Sequence, residues 1–144
     1  MESPCPDLSI VVPVYRGRDT IEPLMGRLVA ELHRMGCSYE AVLVDDSSPD
    51  NSWQVLRELQ AAHPDRVTAV RLMRNFGQHN ALMCGLRHAR GRLIVTMDDD
   101  LQHPPEEIPK LLAAIDAAGA DVVYGVPDAR KHPAWRNLLS LIHI

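Results

Sequence analysis

The chain lacks the features that would place it in several large classes of protein. Among 144 residues, 15 Lys and Arg face 19 Asp and Glu, a net charge of −4 with no basic stripe, which argues against a nucleic-acid binder. Its three cysteines, Cys5, Cys37 and Cys84, stand in no metal-binding or redox spacing and read as free thiols in a reducing cytoplasm. No apolar run approaches the length needed to cross a bilayer, and the polar, proline-bearing start from Met1 to Asp7 does not read as a signal peptide. The dinucleotide fingerprint G-x-G-x-x-G is absent after the first apolar run, where Tyr15-Arg16-Gly17-Arg18-Asp19 offers one glycine. A P-loop and a G-x-S-x-G nucleophile elbow are absent too, and His33, His63 and His88 fall in helical or turn contexts.

What remains is an ordinary soluble composition, 46% apolar, in a chain long enough for one domain with a real core. Leu8 to Val14 is a continuous apolar run of the kind a buried parallel strand makes. A helix follows from Ile21, with Leu24, Met25, Leu28, Leu32 and Met35 on one stripe; Asp19 is expected to cap it, with Glu22 in the capping box, and Gly36 to end it. Strands are expected at Tyr39 to Val44, Val67 to Leu72, Leu93 to Met97 and Asp121 to Gly125. Helices are expected at Ser52 to Ala62, at Gln78 to Ala89 closed by Gly91, and from about Glu106 to Ala118 closed by Gly119. Strands alternating with helices at this pace predict an α/β fold with an open, mostly parallel sheet.

Ligands of such sheets bind beyond the carboxyl ends of the strands. Those ends carry Pro13-Val14-Tyr15, then Asp45-Asp46, then Asp98-Asp99-Asp100-Leu101-Gln102. Adjacent like charges are costly unless a cation or solvent offsets them, and hard oxygen donors suit Mg²⁺ or Mn²⁺ arriving with a phosphate substrate. A solvated acidic rim is the ordinary reading of one Asp at a strand end; two clusters and Gln102 favour function. A phosphoacceptor receiver domain would need acidic residues where Tyr15-Arg16 stands, and a lysine where Gly125-Val126-Pro127 stands.

In their order and spacing, Val11-Val12-Pro13-Val14-Tyr15, Val44-Asp45-Asp46-Ser47-Ser48-Pro49-Asp50 and Asp98-Asp99-Asp100-Leu101-Gln102 resemble the family 2 glycosyltransferases of GT-A fold. Arg74-Asn75-Phe76-Gly77-Gln78-His79-Asn80-Ala81-Leu82, with Gln102-His103-Pro104-Pro105-Glu106, narrows the resemblance to the polyprenyl-phosphate glycosyltransferases, including the dolichyl-phosphate mannosyltransferase-like enzymes. It extends from Leu8 to about Trp135. The resemblance implies a Rossmann-like open sheet with helices on both faces, a nucleotide-sugar donor carrying UDP or GDP, and transfer to a polyprenyl phosphate with inversion. It further implies Asp98 and Asp100 as the catalytic D-x-D ends, which hold Mg²⁺ or Mn²⁺ with Gln102. Pro13, Tyr15, Asp45, Asp46 and Asp99 are implied on the donor side. An anionic lipid phosphate needs no strong general base, which accounts for the lack of a catalytic His–Asp pair.

Two positions depart from the family pattern. Arg16-Gly17 stands where Asn-Glu is usual, and Pro127 where an Arg is usual, so that Arg130 or Lys131 is left to serve the diphosphate. The expected organisation is an N-terminal tail at 1–7, a nucleotide-sugar-binding catalytic domain at 8–130, and the start of a C-terminal segment at 131–144. The chain ends inside the apolar segment after Trp135, as a C-terminally truncated protein would. Membrane association is expected through segments after Ile144, on the cytoplasmic side, with the fragment itself soluble. The alternatives are a family 2 transferase with a saccharide acceptor, and a non-enzymatic receiver or divalent-cation-binding module.

Overall fold

The computed structural model describes residues 6–126, so the expected segment 131–144, Pro127, Arg130, Lys131 and Trp135 lie outside the described residues. Four parallel strands, β1 (Leu8–Val14), β2 (Tyr39–Asp45), β3 (Val67–Arg71) and β4 (Leu93–Thr96), lie in the order β3-β2-β1-β4. Between them run α1 (Ile21–Met35), α2 (Ser52–Ala62) and α3 (Gln78–His88). A short 3₁₀ turn at Pro105–Glu107 leads into α4 (Ile108–Ala118). The chain separates into two compact units, Met1–Pro109 and Lys110–Ile144. Among the described residues no helix is long and apolar enough to cross a membrane.

The two central strands are mostly apolar and buried on both faces because both faces are covered. Every residue of β1 and β2 is buried, as continuous apolar runs demand. On one face Val11, Val42 and Val44 pack with Ala81 of α3. Gly85 lets that helix approach, since a Cβ there would stand 2.3 Å from Val11 Cγ1. The pleat turns alternate residues such as Ile10, Val12 and Leu43 to the opposite face. The buried stripe of α1, Ile21, Leu24, Met25, Leu28 and Leu32, follows the 3.6-residue period of its sequence.

At the amino ends of the strands, Glu40 is 3% exposed. It accepts bonds from Ser9 Oγ at 2.6 Å, the Arg90 amide at 2.6 Å and the Arg90 guanidinium at 2.7 and 2.9 Å. This cluster ties the α3–β4 turn to the sheet.

Three local expectations are corrected. Asp19 does not cap α1: Thr20 occupies the N-cap with a helical backbone, and its hydroxyl turns back to the Gly17 carbonyl at 3.2 Å. Gly91 does not close α3, which ends in an extended Ala89; Gly91 instead lies flush on β1, where a Cβ would stand 2.4 Å from Ser9 N. The fifth strand does not form among the described residues. Its large side chains Val122 and Tyr124 are 62 and 84% exposed, and strand-like composition makes a strand only with a paired neighbour and a covered face. Elsewhere, Trp53 is half-buried beneath the Arg71 guanidinium, which lies 5.7 Å from its ring centroid.

Candidate functional site

A cavity of about 290 Å³ opens at the carboxyl ends of β1, β2 and β4. Its walls come from three strand ends and one helix start: Pro13 and Val14 at the end of β1 with Tyr15 after it, Asp46 after β2, Asp98, Asp99 and Asp100 after β4, and Asn75, Gly77, Gln78 and Ala81 at the head of α3. Strained backbone collects around it. Among the described residues the non-glycine positive φ angles are those of Arg16 (59°), Ser47 (57°) and Leu101 (62°), one just beyond each of those three strands. Such conformations persist only where the surroundings hold them, and they gather at ligand sites.

The loops are held by named bonds. Asp45, fully buried, accepts the Ser48 amide at 3.0 Å on Oδ1 and faces Arg71 Nε at 3.2 Å with Oδ2. Ser48 Oγ in turn accepts the Arg16 amide at 3.0 Å, which fixes the left-handed residue after Tyr15. Arg16 lays its guanidinium 5.4 Å from the Tyr15 ring centroid. Asp46, 2% exposed, spends both carboxylate oxygens on the α3 approach: Oδ1 accepts the Phe76 amide and Oδ2 the Gly77 amide, each at 2.8 Å.

The acidic run is not a uniform rim. Asp98 Oδ1 accepts a bond from Gln78 Nε2 at 2.6 Å. Asp100 Oδ1 accepts the Gln102 amide at 2.9 Å, closing its own turn. Asp99 turns inward over Gly17, where a Cβ would stand 2.2 Å from its Oδ2, and that oxygen is buried with no hydrogen-bond partner. Burial raises the Asp99 carboxyl to about 6, with Asp100 and Asp98 adding repulsion and the backbone of Asp99 and Tyr15 opposing it.

Of the residues singled out in the sequence, Pro13, Tyr15, Asp46, Asp98, Asp99 and Asp100 are thus brought to one cavity. Asp45 lies behind the wall, bound to Ser48 and Arg71. Gln102 is exposed and does not line the cavity. Among the described residues no Lys or Arg lines it either, and no His, Cys, Asp and Glu form a converged group of three around a common point. Sequence reasoning missed Asn75 and Gln78. Both lie in the stretch that narrowed the resemblance, and that stretch was their only signal.

Comparison with known proteins gives the family and the fold. The family model described as glycosyl transferase family 2 matches residues 9–142. An undecaprenyl-phosphate 4-deoxy-4-formamido-L-arabinose transferase from Edwardsiella ictaluri is 46% identical over 92% of this chain and 41% of its own length. The protein of the same name from Shewanella sediminis is 48% identical over 92% of this chain and 40% of its own. The chain therefore spans about two-fifths of the length of these relatives. Among solved structures, the mannosyltransferase PcManGT from Pyrobaculum calidifontis, in complex with GDP-Man and Mn²⁺, superposes with a TM-score of 0.64 at 28% identity, over 93% of this chain and 38% of that one. S. aureus TarS, at 24% identity and a TM-score of 0.64 over 85% of this chain and 39% of that one, shares the GT-A fold.

Proposed function

The chain belongs to glycosyl transferase family 2, and from that premise we propose that it is the donor-binding, catalytic part of an inverting polyprenyl-phosphate glycosyltransferase. The transferase takes its sugar from a UDP- or GDP-sugar and gives it to a polyprenyl phosphate. The relatives' names favour undecaprenyl phosphate as acceptor and an aminoarabinose-type sugar as the first donor to try. One observation carries the reading: a single cavity at the strand ends is lined by a ring and a proline together with three consecutive carboxylates.

In this reading Tyr15, 44% exposed, offers its ring face to the nucleoside beside Pro13. Asp46 shapes the wall opposite by holding the Phe76 and Gly77 amides, and Asp45 supports it from behind. Asp98 and Asp100, with Gln102 beyond them, hold a divalent cation, Mg²⁺ or Mn²⁺. The side chains offer hard oxygens of the kind such an ion takes, and Asp98 and Asp100 both line the cavity, whereas Gln102 lies off its wall; between the two aspartates, Asp99 Oδ2 is buried without a hydrogen-bond partner. When bound, the cation offsets the charge of the departing diphosphate. Asp99, which lines the cavity beside Asp98 and Asp100, is assigned to the donor side. The acceptor phosphate is already anionic, so no side chain of this cavity is asked to remove a proton from it.

Titration calorimetry of UDP and GDP against the chain, with and without Mn²⁺, tests the reading. Binding of one nucleotide is expected to depend on Mn²⁺ and to weaken at least tenfold in Asp100→Asn, as loss of a charged metal ligand does. Binding of neither nucleotide, or undiminished binding in the variant, would refute it.

A further inference from the structure

Gln78 reaches across the cavity from the head of α3 to the acidic side. Its Nε2 donates to Asp98 Oδ1 at 2.6 Å across a sequence separation of 20 residues. Because a carboxylate oxygen only accepts, the amide nitrogen must face it, which fixes the orientation of the glutamine. The backbone beneath Gln78 is equally constrained. Asp46 holds the amides of Phe76 and Gly77, the Asn75 side chain accepts the Gly77 amide at 3.1 Å, and Asn80 Nδ2 donates to the Phe76 carbonyl at 2.7 Å. Gly77 takes a φ of 90° to turn the chain into α3 at this point.

We infer that Gln78 is a positioning residue for the cation site: it pins one oxygen of Asp98 and leaves the other to the ion. The inference rests on the proposed function, and its chemistry follows from the amide. A neutral donor orients a carboxylate without cancelling its charge, whereas Lys or Arg would compete with a cation, and Glu would repel Asp98. The bond also joins two sides of the cavity. From Asp46 through Phe76, Gly77 and Gln78 to Asp98, an unbroken run of bonds links the end of β2 to the end of β4. The geometry of the acidic side is thereby tied to the loop that leads into α3.

The test is Mn²⁺ binding to the chain, followed by the electron paramagnetic resonance of free Mn²⁺, in wild type, Gln78→Ala, Asp98→Asn and the double variant. Gln78 is exposed, so its truncation is expected to leave the thermal midpoint unchanged. Gln78→Ala is expected to weaken Mn²⁺ about tenfold, as loss of an outer hydrogen-bond partner does. In the Asp98→Asn background the same truncation is expected to cost nothing further. Unchanged Mn²⁺ affinity in Gln78→Ala, beside a loss in Asp98→Asn, overturns the positioning role and leaves the function standing. An equal loss from Gln78→Ala in both backgrounds overturns it too. Absence of Mn²⁺ binding in wild type, or full binding in Asp98→Asn, overturns both the role and the cation site on which it rests.

Discussion

Adding one methyl group at Gly17 separates packing from electrostatics at this site. A Cβ there would meet Asp99 Oδ2 at 2.2 Å and Val14 Cγ1 at 2.8 Å. The backbone cannot retreat, because the Gly17 carbonyl accepts the amides of Thr20 at 3.2 Å and Ile21 at 3.0 Å as the first turn of α1. Asp99, the end of a flexible side chain, must leave, and buried Val14 must yield. Overpacking of this kind costs about 1–3 kcal/mol. Against it stands a gain. Holding Asp99 near 6 instead of its ordinary 3.8 costs the wild-type fold on the order of 3 kcal/mol at neutral pH, and nearer ~2 kcal/mol for a half-buried group.

The two effects have different pH dependence. Between pH 4 and 6 the folded chain keeps a proton on Asp99 that the unfolded chain has released, so wild-type stability falls as pH rises, and above about pH 6 the whole penalty stands. Near pH 4 little of it remains. Gly17→Ala is therefore expected to be within about 1 kcal/mol of wild type at pH 7, where expelling Asp99 offsets the crowding, and destabilised by about 1–3 kcal/mol at pH 4. Urea unfolding in the presence of a chelator, with midpoints and slopes at both pH values, measures the difference. Asp99→Ala is the companion variant and is expected to flatten the fall between pH 4 and 6. The same loss for Gly17→Ala at both pH values, or an unaltered slope in Asp99→Ala, would show that Asp99 is not the group over Gly17.

Two further substitutions probe the opposite end of the sheet. Glu40→Gln is expected to destabilise by about 2 kcal/mol, measured as a urea midpoint at pH 7, since it removes the charge that gathers Ser9 and Arg90. Burial raises the Glu40 carboxyl, but the Ser9 and Arg90 bonds outweigh it and hold it below its ordinary 4.5; its contribution is present above that value and lost as pH falls through the folded one, so the two proteins converge in acid. Gly91→Ala is expected to cost about 3 kcal/mol by the same assay, because its Cβ would meet Ser9 N at 2.4 Å and the Leu8 carbonyl carbon at 2.6 Å, main-chain atoms that cannot rotate away. A cost under about 0.5 kcal/mol would mean that the α3–β4 turn is not seated on β1.

Where the sequence was legible, one physical rule dominated. Leu8–Val14 and Tyr39–Asp45 are buried throughout because they lie at the centre of a sheet covered on both sides, and no local preference competes with that. The stripe of α1 was readable for the same reason. Asp121 to Gly125 has the composition of a strand, but a strand is made by its neighbour, and composition does not reveal whether one is present. Gly91 looked like a helix cap because glycine serves both flexibility and close approach, and only the structure shows Ser9 beneath it. Capping by Asp19 failed because Gly17 had already begun the turn two residues earlier.

The site divides along the same line. Strand-end carboxylates could be placed on one edge of the sheet from the alternation of elements alone. What each carboxylate does there depends on loops whose bonds join residues 20 or 30 positions apart, and no periodicity encodes these. Asp45 and Asp46 are adjacent in sequence, yet one braces the Ser48 turn from behind the wall and the other clamps the start of α3. The sequence set Asp99 apart from Asp98 and Asp100 but not the partners of each: one is pinned by Gln78, one is buried over Gly17 and one closes its own turn. A repulsive cluster becomes tolerable because each member has a different surrounding. The residue that had to be small for this to happen, Gly17, stands where the family pattern has a carboxylate. A Cβ at Gly17 would stand 2.2 Å from Asp99 Oδ2, so the inward turn of the middle carboxylate depends on the absence of a side chain in the first loop.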